Sequence, residues 1–415
     1  MLATPLASAV TMPVASLVTT PVASMITAQQ APVLGSAVLP LREYLLTALT
    51  AAVITFLLTG PVRLAAMRLG AVAWPRGRDV HATPMPRWGG LAMLGGVLGG
   101  VLLAYQLPAL RLAFDYSDEV VGALIAVVVL GVVGALDDRF ELDAITKLAG
   151  QTTAAGLLVL AGVQWVTFWI PWGGGGSGIS GSFLILGETQ GVLLTVVLTV
   201  ALVNAMNFVD GLDGLAAGIG LIAATATAVF AIGLVRANGN DPSAYSPALL
   251  AVVLAGACLG FLPHNFNPAR IFMGDSGSML IGLLIAAATT TASGRIVPTD
   301  GTAATDVLAL FAPLLAGAAV VFVPLLDLLM AVVRRTRAGT SPFSPDKMHL
   351  HHRLLEIGHS HRRAVLLIYL WAALLAFGAV ALALIADPFI VAWVVGIGLV
   401  VAVLASAVPR LRTPR

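Results

Sequence analysis

The chain of 415 residues is 59% hydrophobic and 10% charged, with a mean hydropathy of +0.97. Soluble domains carry about 25% charged residues, so this composition excludes a soluble enzyme and describes a polytopic membrane protein. The single cysteine, Cys258, excludes a disulfide framework and a thiolate metal site, and the formal net charge of +2 says less than where the charges fall.

Residues 1–40 stand apart from the rest. The octapeptides "PLASAVTM", "PVASLVTT" and "PVASMITA" begin at Pro5, Pro13 and Pro21. A proline every eight residues forbids a long helix, and no basic residue precedes Arg42 to open a signal peptide. The segment reads as a disordered extracytoplasmic tail. Hydrophobic stretches of about 20 residues, long enough to cross a bilayer, then recur eleven times: 41–65, 89–110, 120–136, 147–166, 188–206, 214–235, 246–263, 276–294, 306–333, 364–386 and 389–408. The expectation is an all-α polytopic membrane protein whose membrane domain covers 41–408, with a basic tail at 409–415. "GGGGSG" at 173–178 suits a flexible outer loop.

The connecting segments alternate sides, and the basic residues sort with them. Of the 22 Lys and Arg residues, 18 fall on one side and four, Arg42, Arg111, Arg236 and Arg295, on the other. The positive-inside rule makes the first side cytoplasmic, with the N-terminus outside and the C-terminus inside. Every histidine and most of the paired acidic residues share that inner side. A transporter more often holds its polar groups near the bilayer midplane. Crowding at one interface favours an enzyme acting on a membrane-borne substrate, its active site built from cytoplasmic loops.

Four inner clusters carry chemistry. In "GVVGALDDRFELDAITKLAGQ", Asp137 and Asp138 end one span, and Lys147 and Gln151 share a face of the next. Adjacent carboxylates repel and call for a cation, a basic partner or a shared proton; a solvated turn is the plainer alternative. In "NAMNFVDGLDGLAAG", Asn204, Asn207, Asp210 and Asp213 recur every third residue. A regular helix cannot aim all four at one point, so the helix is expected to loosen at Gly211 and Gly214. In "FLPHNFNPARIFMGDSGSMLIG", Asn265 and Asp275 flank a loop, and "DSGS" opens a helix whose free N–H groups suit phosphate. In "SPFSPDKMHLHHRL", His349, His351 and His352 lie beside Lys347 and Arg353. With oxygen ligands nearby and no thiolate, Mg²⁺ or Mn²⁺ fits better than zinc. Arg334, Arg335, Arg362 and Arg363 read as topology signals and headgroup contacts. Asp327, inside a span, has no role that spacing alone identifies.

In this order, these motifs resemble the polyprenyl-phosphate N-acetylhexosamine-1-phosphate transferases of glycosyltransferase family 4, from about Arg78 to Gly358. The resemblance implies transfer of a sugar-1-phosphate from a UDP-amino-sugar to a polyprenyl phosphate, undecaprenyl or decaprenyl, with release of UMP. It implies Mg²⁺, with Mn²⁺ as a substitute, held by Asp275 with Asp210. Asp137, Asp138, Asp210, Asp213, His351 and His352 take catalytic positions. Lys147, Asn207, Asn265, Phe272, His349 and Arg353 take substrate-binding ones, with Phe272 stacking on uracil. Leu350 interrupts the histidine run, which resembles the GlcNAc-1-phosphate branch, not the phospho-MurNAc-pentapeptide branch; the latter is the alternative within the family, and a nucleotide-sugar or lipid transporter the alternative outside it. The implied setting is a bacterial inner membrane with the site facing the cytoplasm, no nucleic acid partner, and room for a homodimer.

Overall fold

The computed structural model describes residues 39–74, 84–170, 182–295, 336, 360–385 and 387–407. The first apolar stretch forms α1 (Leu41–Leu69), which ends at Gly70 in the left-handed conformation (φ 75°). An antiparallel ribbon of β1 (Val72–Ala73) and β2 (Met85–Pro86), pairing Val72 with Pro86, leads to α2 (Gly89–Gln106). A short α3 (Leu112–Tyr116) precedes α4 (Glu119–Phe140) and α5 (Ala144–Leu160). The hairpin of β3 (Thr167–Ile170) and β4 (Ser182–Ile185) follows. Then come α6 (Glu188–Val209), α7 (Leu215–Ala237), α8 (Tyr245–Asn265) and α9 (Asp275–Ser293). The final pair is α10 (His361–Leu384) and α11 (Pro388–Ala407).

Among the described residues, nine helices are long and apolar enough to cross a membrane. The protein is an all-α polytopic membrane protein, and nine of the eleven expected spans coincide with these helices. The stretch expected over 147–166 is instead the 17-residue α5, started by the Asp143 cap and ending at Leu160. Gly162, at φ 88°, then turns the chain towards β3. The expected span at 306–333 with Asp327, the glycine-rich loop, the tail at 1–38 and the residues after 407 lie outside the described residues.

The bundle is organised around α9. All its residues from Ser276 to Ser293 are buried, and it packs against α2, α4, α6, α7 and α8. Between membrane helices, small residues allow this by letting backbones approach. A β-carbon placed on Gly90 of α2 would lie 2.1 Å from the Gly277 nitrogen, and one on Gly134 of α4 would lie 2.5 Å from the Ser276 α-carbon. Gly90→Ala is therefore expected to push α2 off α9, at about 1–3 kcal/mol of overpacking. A thermal melt in detergent checks this, and a melting temperature equal to wild type refutes the contact. At the other extreme, α1 and α11 bury only 22% and 11% of their apolar windows. Their exposed Leu45, Leu57, Trp393 and Val394 form the rim of the bundle.

Candidate active site

Three of the four inner clusters meet at one end of the bundle. There the C-terminal ends of α4, α6 and α8 face the N-terminal ends of α2, α5, α7, α9 and α10. α4 runs through Asp137 and Asp138 to Phe140, and Glu141 in the left-handed region (φ 52°) ends it. Asp143 then caps α5, its Oδ1 accepting from the Ile145 and Thr146 amides, each at 2.9 Å. These bonds, led by those from Thr146, hold its carboxyl below the usual range. The tight α4–α5 turn places Lys147 over the end of α4.

Lys147 is the bridge of the site. Its Nζ lies 2.7 Å from Asp137 Oδ2 and 2.9 Å from Asp275 Oδ2, joining residues 138 positions apart through one ammonium. Asp137 Oδ1 also accepts the Leu142 amide at 2.8 Å. Asn207 donates to Ser278 Oγ at 3.2 Å and also reaches the Asp275 carboxylate. Four residues expected in the site, Asp137, Lys147, Asn207 and Asp275, thus form one connected group.

Asp138 has a different task. The Asp275 amide donates to its Oδ1 at 2.8 Å, and the Ser276 amide (3.2 Å) and hydroxyl (2.9 Å) donate to its Oδ2. Its side chain caps the first turn of α9 from another helix, satisfying donors that a helix start leaves open. Gly274, just before α9, has φ 73°; a β-carbon there would lie 2.4 Å from Asp138 Oδ2. Only glycine accommodates both the backbone and the carboxylate.

The "NxxNxxDGxDG" segment loosens as its glycines imply. α6 ends at Val209, Asp210 caps it, and Gly214 at φ 80° starts α7. Burial pushes the Asp210 carboxyl up to about 7; repulsion from Asp275, Asp138 and Asp213 adds to this, and Arg87 opposes it. Asp213 Oδ2 accepts from Asn267 Nδ2 and from the Ala269 amide, both at 3.0 Å. Asn265 Oδ1 accepts the Gly214 amide at 3.0 Å while its Nδ2 donates to the Ile271 carbonyl at 3.0 Å. Asp213 and Asn265 therefore hold the 266–274 loop against the α6–α7 turn. Phe272 lies half-buried in that loop, its amide donating to Pro86 (2.8 Å) and its carbonyl accepting from Gly89 (3.1 Å).

His349, His351, His352 and Arg353 lie outside the described residues. Further polar contacts hold this end of the bundle together, and of the residues that make them Gln151 and Asn204 stand out in the sequence motifs while Trp88 does not. Gln151 and Asn204 pair through their amides at 2.7 Å, tying α5 to α6. The Trp88 indole donates to the Ala135 carbonyl at 3.0 Å. Arg362 is no mere topology signal: its Nε donates to the Asn267 carbonyl at 2.9 Å.

This geometry gathers carboxylates, one ammonium and the start of a buried helix at a membrane-helix end. It suits charge-neutralised handling of phosphate groups. The chain matches the model of glycosyl transferase family 4 over residues 120–293, a stretch holding Asp137, Lys147, Asp210 and Asp275. It is 58% identical over 376 residues to the decaprenyl-phosphate N-acetylglucosaminephosphotransferase of Mycobacterium tuberculosis, covering 91% of each chain. It is 57% identical over 376 residues to the protein of that name from Mycolicibacterium smegmatis, again covering 91% of each. To the undecaprenyl-phosphate alpha-N-acetylglucosaminyl 1-phosphate transferase of Escherichia coli K12 it is 29% identical over 320 residues, 76% of this chain and 77% of that one. With likeness of this extent running through the very helices that assemble the site, the chain belongs to glycosyl transferase family 4.

Proposed function

We propose that the protein transfers GlcNAc-1-phosphate from UDP-GlcNAc to a polyprenyl phosphate, releasing UMP and forming polyprenyl-diphosphate-GlcNAc. The names of its relatives, decaprenyl- and undecaprenyl-phosphate GlcNAc-phosphate transferases, support this reading. The observation that carries it is the Asp137–Lys147–Asp275 bridge at the end of membrane-length helices. A lipid phosphate and a nucleotide diphosphate can meet only where headgroups meet water. The basic-residue distribution supports a cytoplasmic setting for this end, where a nucleotide sugar is available, and the reading puts the protein in a bacterial inner membrane.

The donor set also fits Mg²⁺, or Mn²⁺ in its place. Mg²⁺ is usually held by one or two carboxylates together with substrate phosphates and water. Among the described residues, no three carboxylate or imidazole groups form a closed cage, and Asp275 and Asp210 are near enough to repel each other. We assign these two as its protein ligands; bound there, the ion would supply charge neutralisation for the donor diphosphate. Lys147 balances the anionic acceptor and holds Asp137 beside it. A phosphomonoester with a second pKa of about 6 is already largely ionised at neutral pH, so Asp137 orients the lipid phosphate and no strong base is needed. Its oxygen attacks the β-phosphorus of UDP-GlcNAc in line, the β-phosphorus–oxygen bond to UMP breaks, and UMP leaves with the electron pair. Asn207 steadies Asp275, and Phe272 offers a face for uracil.

Incubation of the purified chain with radiolabelled UDP-GlcNAc, a polyprenyl phosphate and Mg²⁺ is expected to move label into the lipid phase with equimolar UMP. Label that stays aqueous, or label accepted only from UDP-MurNAc-pentapeptide, overturns the assignment.

A further inference from the structure

α10 lies far along the chain from the 120–293 stretch that the family model matches, yet it grips the site twice. The Tyr369 hydroxyl donates to the Gly214 carbonyl, while the Gly214 amide donates to Asn265 Oδ1 at 3.0 Å. One residue, at the φ 80° break between α6 and α7, is therefore held through both its amide and its carbonyl. The hydroxyl end of the Tyr369 ring packs closely on α7: a β-carbon on Gly218 would lie 1.9 Å from its Cζ. Two turns earlier on α10, Arg362 Nε donates to the Asn267 carbonyl, and Asn267 Nδ2 in turn donates to Asp213. Core packing accounts for the glycine beneath the ring, but it needs no hydroxyl on that ring.

The geometry points to Tyr369 as a positioning residue that locks the Asp210–Gly214 turn, with Arg362 locking the facing loop. This rests on the reading of Asp210 as part of the transfer site. Two glycines, Gly211 and Gly214, leave the turn many conformations, and without the tyrosine hydroxyl the Gly214 carbonyl keeps only the Gly218 amide, at 3.0 Å. Only some of these conformations keep Asp210 beside Asp275. Loss of the hydroxyl should lower the population of the competent turn, reducing kcat while leaving the binding of remote substrate parts, and so both KM values, nearly unchanged. Substitution of Gly218 should act identically, by displacing the ring.

The test uses the full chain in detergent. Tyr369→Phe is expected to lower kcat about tenfold with both KM values within twofold of wild type, and to speed amide exchange at 211–218 at least tenfold while α8 and α9 keep their protection. Gly218→Ala should reproduce both changes, and Arg362→Gln, an exposed position, should give a smaller kcat loss with the same exchange pattern centred on 266–270. Unchanged exchange at 211–218 in Tyr369→Phe overturns the lock whether or not the enzyme transfers sugar. Faster exchange with unchanged kcat refutes its role in catalysis. A wild-type chain that transfers no sugar counts against the functional reading, and the exchange result then still decides the lock. Should Tyr369→Phe fail to fold, Gly218→Ala and Arg362→Gln carry the same two readouts.

Discussion

Replacing Asp275 by asparagine is expected to cut turnover about a thousandfold, the upper end of what removing one preorganised electrostatic group costs, and to leave the protein folded. The change is nearly isosteric, and the α9 cap provided by Asp138 uses the residue 275 amide and Ser276, not the Asp275 side chain. Stability should fall only slightly, because the ion pair to Lys147 is lost while the repulsion that Asp275 exerts on Asp210 is relieved. Lys147 keeps Asp137 as a partner at 2.7 Å. The measurements are initial rates of UMP release across a Mg²⁺ titration and a melting curve in the same detergent. Activity within tenfold of wild type at saturating Mg²⁺ contradicts the assignment, and a collapsed melting temperature shows that Asp275 is structural.

Much of this site is visible in the sequence for a simple physical reason. In an apolar chain, any carboxylate or amide at a helix end stands out, because the bilayer tolerates it only with a partner. Asp137, Lys147, Asn207, Asp210 and Asp275 were legible on that basis, and so was the break at Gly211 and Gly214. Division of labour among them was not. Asp137 and Asp138 are neighbours of identical chemistry, but one helical step of about 100° turns the first to Lys147 and the second to the start of α9. The motifs imply a catalytic position for Asp213 and a substrate-binding one for Asn265; in the fold Asn265 binds two main-chain groups, and Asp213 accepts from the Asn267 side chain and the Ala269 amide. Tyr369 carries no motif. Its meaning comes from a partner 155 positions away, and no local pattern encodes such a contact. α5 fell short of its expected span because hydropathy marks apolar length, whereas Gly162 and the β3–β4 hairpin decide where the helix ends.

The same division yields the second large effect, a contrast between two adjacent aspartates. Asp138→Ala is expected to destabilise the protein by about 3 kcal/mol: an N-cap substitution costs roughly 0.5–2 kcal/mol, and each buried donor left without an acceptor adds about 1–3. The donors are the amides of Asp275 and Ser276 and the Ser276 hydroxyl, and Ser276 is fully buried, so water cannot readily replace the carboxylate. Asp138→Asn keeps one acceptor oxygen and should fall between alanine and wild type. Asp137→Asn retains an acceptor for the Leu142 amide and loses only the ion pair to a part-exposed lysine, so it should melt near wild type and lose activity through catalysis alone. The order of melting temperatures is therefore wild type and Asp137→Asn together, then Asp138→Asn, then Asp138→Ala several degrees lower. Activity should be low in all three variants, for two different reasons. If Asp138→Ala melts with wild type while Asp137→Asn unfolds, the roles are reversed, and Asp138 becomes the carboxylate that meets the lipid phosphate.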